Sequence, residues 1–116
     1  MGGSAAAGCG VAYEFRAAAL FCSKGYRLIG SRVRTRTGEC DLIMQNGSRL
    51  LFVEVKYRRC CADVVSAWRT RQRQNFLSVV RSYQARFPSC TVEIKFVAFW
   101  DGGVRVFDAD WRDLAC

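Results

Sequence analysis

The sequence contains no histidine. This absence excludes nucleases and proteases that use an imidazole as general base, Ser-His triads and Cys-His pairs included. A zinc site would depend on cysteine, yet the seven cysteines include no Cys-x-x-Cys pair. Because their number is odd and two of them are adjacent, a disulfide framework is also disfavoured, and a reducing cytoplasm fits this cysteine usage best.

Signals for membranes and export are missing as well. No segment approaches the run of about eighteen apolar residues that a transmembrane helix needs. The Ala- and Gly-rich start lacks the basic region and the long apolar core of a signal peptide. We therefore expect a cytoplasmic protein that does not contact membranes.

Acidic residues are scarce, whereas arginine is abundant. The 116 residues carry a net charge of +8, because fifteen arginines and three lysines stand against ten acidic residues. Guanidinium groups match phosphate geometry, so a small arginine-rich domain suggests a polyanionic partner such as nucleic acid. A genome rich in arginine codons is the alternative explanation of this composition.

Hydrophobic periodicity predicts one α/β domain over residues 10–116, preceded by a flexible lead-in over residues 1–9. An apolar stripe runs along the first helix and consists of Val11, Phe15, Ala18, Phe21 and Cys22. A long helix crosses over before the next strand, so that strand adds in parallel beside a hairpin and gives a mixed central sheet flanked by helices. The predicted elements are a helix at 10–24, a strand at 26–36, a hairpin within 38–56, a helix at 63–86, strands at 91–100 and 104–107, and an acidic tail with Trp111 that caps the fold.

The hairpin carries the main candidate site. Asn46-Gly47 favours a two-residue type I′ turn, which places Glu39 opposite Glu54 and Asp41 opposite Phe52. Opposed and alternate residues share a face, so three carboxylates and a lysine meet at the open end: Glu39, Asp41, Glu54 and Lys56. A slip of one residue in the pairing would put Asp41 and Glu54 on opposite faces, so the register decides whether this site exists.

Asp41 and Glu54 would then be diagonal neighbours, about 7 Å apart at Cβ, and their oxygens could share one divalent cation. Mg²⁺ or Mn²⁺ needs only one or two carboxylates with a main-chain carbonyl and waters, and the carbonyl of Val55 would complete the set. Lys56 would orient a water or neutralise charge that develops on a phosphate.

The remaining acids of the first half are candidates for supporting roles. Only four acidic residues occur in the first 62 positions, against ten basic ones, and three of the four lie on the hairpin. Glu14, on the stripe of the first helix, and Glu39 could bind a second ion or act through water. The alternatives are that Glu14 pairs with an arginine and that Glu39 and Glu54 are strand-end charges balanced by Lys56.

Seven arginines are candidates for contacting phosphates, and an ordinary solvated charged surface is the alternative for each group. They are Arg32, Arg34 and Arg36 on the first strand, Arg58 and Arg59 after the hairpin, and Arg71 and Arg73 on the long helix.

An Asp followed about a dozen residues later by Glu-x-Lys resembles the PD-(D/E)xK nucleases of the restriction-endonuclease-like superfamily. The wider set of motifs resembles the YraN-type family of small bacterial proteins, uncharacterised protein family 0102, which is itself similar to Holliday-junction resolvases. The similarity covers roughly residues 10–100, and it depends on Glu14, Lys24-Gly25-Tyr26, Gly38-Glu39-Cys40-Asp41-Leu42-Ile43 and Phe52-Val53-Glu54-Val55-Lys56.

This resemblance implies a restriction-endonuclease-like αβββαβ core, a cytoplasmic location, metal ligands at Asp41 and Glu54, a catalytic lysine at Lys56 and an auxiliary acid at Glu14. The chain departs from the family in its second half. Arg71-Gln72 or Arg73-Gln74 stands where a Lys-Gln pair is usual, and Glu93-Ile94-Lys95 where Arg-Phe-Asp is usual.

The sequence therefore predicts a nuclease that hydrolyses phosphodiester bonds in DNA or RNA with Mg²⁺ or Mn²⁺. The first alternative is a non-catalytic nucleic-acid-binding module with the same fold. The second is an adaptor whose basic face binds acidic proteins. A homodimer that acts on two strands is compatible with the sequence but is not required by it.

Overall fold

A five-stranded mixed sheet lies at the centre of the molecule. The computed structural model describes residues 2–109, with side chains from Gly10 onwards. The strand order is the order of the sequence; β3 and β4 are parallel, and the other neighbours are antiparallel. In chain order the elements are α1 Gly2–Cys22, β1 Arg27–Arg34, β2 Glu39–Asn46, β3 Arg49–Tyr57, α2 Cys61–Val65, α3 Thr70–Arg86, β4 Thr91–Trp100 and β5 Gly103–Ala109.

This architecture confirms the predicted α/β fold, which is consistent with a restriction-endonuclease-like domain. Helix α3 lies between β3 and β4 in the chain, so it forms the crossover that their parallel pairing requires. Helices of the described residues lack the combination of length and hydropathy that a membrane crossing needs.

Apolar clusters cover both faces of the sheet. On one face Ile43 and Phe52 pack with Phe76 of α3, and on the other Met44 and Leu51 pack with Phe21 of α1. Alternate residues of a strand point to opposite faces, so the central strand β3 is buried on both sides. This explains its unbroken run of buried residues from Leu50 to Val55, a pattern typical of strands covered on two faces.

Helix α1 buries only part of the stripe that the sequence predicted, at Phe21. Ala17 and Phe21 are buried, whereas Phe15 is 70% exposed. The stripe followed the largest apolar side chains, but the small Ala17 lets the helix lie close to the sheet. The predicted flexibility of residues 1–9 stays a prediction, and the predicted capping by the acidic tail concerns residues that lie outside the described part of the chain.

The predicted helix at 63–86 is wrong as a single element, because it is two helices. Helix α2 ends at Val65, and α3 begins at Thr70 after a break in which Trp68 is buried. Gln72 closes the new helix start by accepting a hydrogen bond from the Arg69 N–H at 3.2 Å. Trp68 packs edge-on against Phe76, with ring centroids 5.0 Å apart, so the apolar periodicity continues through the break and conceals it.

Candidate active site

The hairpin register differs from the prediction by two residues. Asn46 pairs with Arg49, so the turn consists of Gly47 and Ser48 instead of Asn46 and Gly47. Gly47 has φ +58° and no positive φ occurs at Ser48, which fits a type II′ turn with glycine at its first central position. Because the slip is an even number of residues, every side chain stays on its predicted face.

This register changes which acids meet. The regular β2–β3 ladder ends at Leu42 and Val53. One further pair in the same register would place Asp41 opposite Glu54, whereas the prediction made them diagonal neighbours. The predicted Glu39–Glu54 pairing is wrong, because the same register would place Glu39 opposite Lys56. On its other side Glu39 pairs with Arg34 of β1. Their side chains also form an exposed ion pair, with Nε and Oε2 3.4 Å apart.

One cavity of about 350 Å³ brings the predicted catalytic residues together. Helix α1 supplies Glu14, β2 supplies Asp41, and β3 supplies Glu54 and Lys56. The full lining consists of Glu14, Arg32, Arg34, Glu39, Cys40, Asp41, Glu54, Val55 and Lys56.

Among the residues that the structure describes, Glu54 is the charged residue that is buried, with 8% of its surface exposed. Its Oε2 lies 3.2 Å from Nζ of Lys56. Burial and, after it, the negative charge of Asp41 raise the pKa of Glu54 to about 8, while Lys56 offsets only part of their effect. At neutral pH the pair of carboxyl groups therefore favours a shared proton or a cation between them.

Asp41 is held by the main chain of the opposite strand. The Val55 N–H donates a hydrogen bond to Oδ2 of Asp41 at 2.8 Å, where a regular ladder would use a main-chain acceptor. Burial raises the pKa of Asp41, and the hydrogen bonds that its carboxylate accepts from the Val55 N–H and from the Glu54 carboxyl group oppose this. The carboxylate is therefore fixed in place before any ligand binds.

Glu14 reaches the cavity but is already paired. Its Oε1 lies 2.9 Å from Nε of Arg32, which is the arginine pairing that the sequence left open as an alternative. Burial raises the pKa of Glu14, Arg32 lowers it, and the charge of Asp41 raises it. The predicted row of Arg32, Arg34 and Arg36 required an extended strand, and this condition is not met, because Arg32 has φ +49° and β1 ends at Arg34. Arg32 and Arg34 nevertheless line the same cavity.

Three of the seven candidate arginines line a second, polar cavity of about 370 Å³ beside the first. These are Arg34 and Arg36, around the β1–β2 turn, and Arg71 of α3. Gly38 makes this arrangement possible, because a Cβ at that position would lie 1.8 Å from the main-chain oxygen of Asn75. Sequence reasoning missed this role of Gly38, although its place directly before the acidic motif was a usable signal.

The other four candidate arginines lie elsewhere. Arg32 pairs with Glu14, while Arg58 and Arg59 are exposed just after β3. Arg73 lines a different cavity, with Trp68 and Phe96, and so does not lie beside Arg71. Two residues along a helix rotate the side-chain direction by about 200°, which separates Arg71 from Arg73.

The donor set suits a hard cation with few protein ligands. Within the described side chains no three of His, Cys, Asp and Glu converge as metal ligands. Two adjacent carboxylates are nevertheless sufficient for Mg²⁺ or Mn²⁺, which keep several waters. A buried pair of like charges also needs a neutralising group, so the residues present fit such an ion. Val55 lines the cavity, and a role for its carbonyl stays a prediction.

The chain is similar to a group of bacterial proteins. The model of the uncharacterised protein family UPF0102 matches residues 13–99, a range that includes every candidate catalytic residue. A UPF0102 protein of Bradyrhizobium sp. strain ORS 278 is 38% identical over 90 residues, which cover 77% of this chain and 64% of that protein. A UPF0102 protein of Nitrobacter winogradskyi is 37% identical over 90 residues, which cover 77% of this chain and 76% of that protein. The matched part of the chain thus spans just under two thirds of the Bradyrhizobium protein.

Proposed function

The chain belongs to the uncharacterised protein family UPF0102, as its resemblance to the YraN-type family predicted, and from that premise we propose that it is a metal-dependent nuclease. It hydrolyses phosphodiester bonds in DNA or RNA. The observation that carries this proposal is the cavity in which Asp41, Glu54 and Lys56 lie together, with both carboxylates largely buried. Buried like charges are costly to fold, so their presence favours a function for them over a structural role.

Asp41 and Glu54 would bind the cation, with the Val55 carbonyl as a further oxygen ligand. When bound, Mg²⁺ or Mn²⁺ supplies a Lewis acid for the phosphate and lowers the pKa of a water. The hydrogen bond from the Val55 N–H keeps Asp41 oriented toward the cavity, so little reorganisation is needed on binding.

Lys56 provides the positive charge beside the carboxylates. Its ammonium lies 3.2 Å from Glu54 and lines the same cavity, so it can orient the attacking water and stabilise negative charge on the phosphate oxygens. That charge grows as the water oxygen bonds to phosphorus and the bond to the leaving sugar oxygen breaks.

The polar cavity beside the site would contact the neighbouring phosphates. Arg34, Arg36 and Arg71 line it, and Arg34 also lines the catalytic cavity, so the two surfaces are continuous. Contacts of this kind position a backbone without reading its sequence. The net charge of +8 supports binding of a polyanion through them.

The test is a cleavage assay on duplex, branched and single-stranded DNA and on structured RNA, with Mg²⁺, Mn²⁺ or EDTA. We expect cleavage only with metal, and a loss of about 100- to 1,000-fold in Lys56→Ala and in Glu54→Gln, because each removes a charge from the reaction site. Binding in Ca²⁺ should change little. Lys24→Ala is the matched control, since Lys24 is exposed just after α1.

Undiminished cleavage in both site variants would overturn the proposal. A wild-type protein that binds nucleic acid in a salt-dependent manner but never cleaves it would be the non-catalytic module. The absence of such binding would favour an adaptor for acidic proteins instead.

A further inference from the structure

A smaller cavity of about 130 Å³ adjoins the catalytic cavity. We call it the apolar cavity, because Phe15 and Ala18 of α1, Leu28 of β1 and Leu42 of β2 form most of its wall. Glu14 and Arg32 line both cavities, so a molecule at the catalytic carboxylates would have its next group at the mouth of the apolar cavity.

The side chain of Phe15 is unusually exposed for a phenylalanine. It is 70% exposed, whereas the other seven phenylalanines are at most 36% exposed. Leu28, on the opposite wall, is 47% exposed. Large apolar side chains exposed together around a cavity are typical of a binding surface.

We propose that the apolar cavity binds an unpaired base of the nucleotide next to the scissile phosphate, with the base stacked on Phe15. The inference rests on the proposed function, because the shared Glu14–Arg32 wall connects the cavity to the phosphate site. An aromatic ring is a general platform for any base, and such stacking contributes about 1–3 kcal/mol per base.

Arg32 supplies the polar contact at the border of the two cavities. Its Nε donates to Glu14, and no other hydrogen bond of its side chain forms among residues 10–109. The terminal guanidinium nitrogens are therefore available to the edge of a base, and the side chain is 44% exposed.

A base in continuous duplex cannot reach this cavity without leaving its stack. The cavity therefore selects nucleic acid with single-stranded, gapped or flapped segments over continuous duplex. A second copy of the chain is the competing occupant. The net charge of +8, however, makes two copies of the chain repel each other and attracts a polyanion, which favours nucleic acid.

The test measures binding in Ca²⁺ to two DNA ligands, a continuous duplex and the same duplex with a single-stranded gap. We expect Phe15→Ala to weaken binding of the gapped ligand by about 5- to 150-fold and to leave the continuous duplex unchanged. Phe15→Trp should retain tight binding of the gapped ligand. Phe87→Ala, at the far end of α3, is the matched control and should change neither affinity.

Abasic sites placed in turn through the gap make the test specific to a base. At one position the missing base should weaken wild-type binding and cancel the effect of Phe15→Ala. An equal effect of Phe15→Ala on both ligands, no effect on either, or an effect that persists at every abasic position would overturn the inference. So would a wild-type dimer that Phe15→Ala converts to monomers with equal losses on both ligands, since that result assigns the surface to a second copy. If the wild type cleaves nucleic acid but Phe15→Ala behaves as wild type, only this inference fails.

Discussion

The two ends of the β2–β3 hairpin differ in which groups accept the hydrogen bonds of their main-chain N–H groups. Near the turn, Met44 pairs with Leu51 and Ile43 with Phe52, all fully buried in a regular ladder. At the open end the ladder stops, and a side chain, Asp41, accepts the main-chain hydrogen bond of Val55.

The charges follow the same division. The buried pairs near the turn contain only apolar side chains, which stabilise the fold, whereas the open end holds two carboxylates whose burial costs stability. In this hairpin the residues that stabilise the fold thus lie near the turn, and the candidate catalytic residues lie at the open end. Substitutions near the turn should therefore change the free energy of unfolding itself, whereas substitutions at the open end should change how that free energy depends on pH.

The largest stability effect should come from the apolar end. Phe52 is fully buried and packs edge-on against Tyr83, with ring centroids 6.0 Å apart. Phe52→Ala should lower the free energy of unfolding by about 3–5 kcal/mol, because it leaves a cavity in the core. Urea unfolding followed by circular dichroism measures this loss. Phe15→Ala removes the same side chain from an exposed position and should be nearly neutral.

At the open end we expect stability to depend on pH. Because the pKa of Glu54 is raised from 4.5 to about 8 in the folded protein, the stability that this group contributes is full below pH 4.5 and is lost as the pH rises through 8. In EDTA, Glu54→Gln should remove most of this pH dependence. At pH 9 its free energy of unfolding should therefore exceed that of the wild type by roughly a few kcal/mol. Urea unfolding at pH 5, 7 and 9 gives the slopes.

The matched control at this end is Glu39→Gln, since Glu39 is exposed and pairs with Arg34. This variant should keep the wild-type slope. Parallel slopes in wild type and Glu54→Gln would show that Glu54 is not buried as an acid.

A smaller effect should come from the turn itself. Gly47 has φ +58°, and a Cβ there would meet nothing within 4 Å, so Gly47→Ala adds conformational strain and no clash. The expected loss of unfolding free energy is about 1–2 kcal/mol. Ser48→Ala should be neutral, because Ser48 does not have a positive φ. A neutral Gly47→Ala would contradict the II′ turn.

Apart from the break between α2 and α3, the sequence was sufficient for the order of the helices and strands and for the faces of the hairpin, because periodicity of two and of 3.6 carries that information. It could not determine the register, since Asn46-Gly47 and Gly47-Ser48 both satisfy the rules for two-residue turns. Because the observed register differs from the predicted one by two residues, Asp41 and Glu54 remain on the same face. A difference of one residue would have placed them on opposite faces.

Other errors have a common cause in tertiary packing. The exposure of Phe15 and the burial of Ala17 depend on how closely α1 approaches the sheet, which a helical stripe does not specify. The φ of Arg32 and the divergence of Arg73 from Arg71 likewise depend on neighbours that are distant in sequence. The candidate catalytic residues were found because acids are rare in the first half of the chain and their spacing matches a known motif.

The most direct test of the account is whether the open end of the hairpin binds a divalent cation. The free energy of unfolding of the wild type should rise with Mn²⁺ at pH 7.5, by about 2.7 kcal/mol at a hundredfold excess over the Kd, and Asp41→Asn should lose this rise. An equal rise in Asp41→Asn, or no rise in the wild type, would contradict the claim that Asp41 and Glu54 form a metal site.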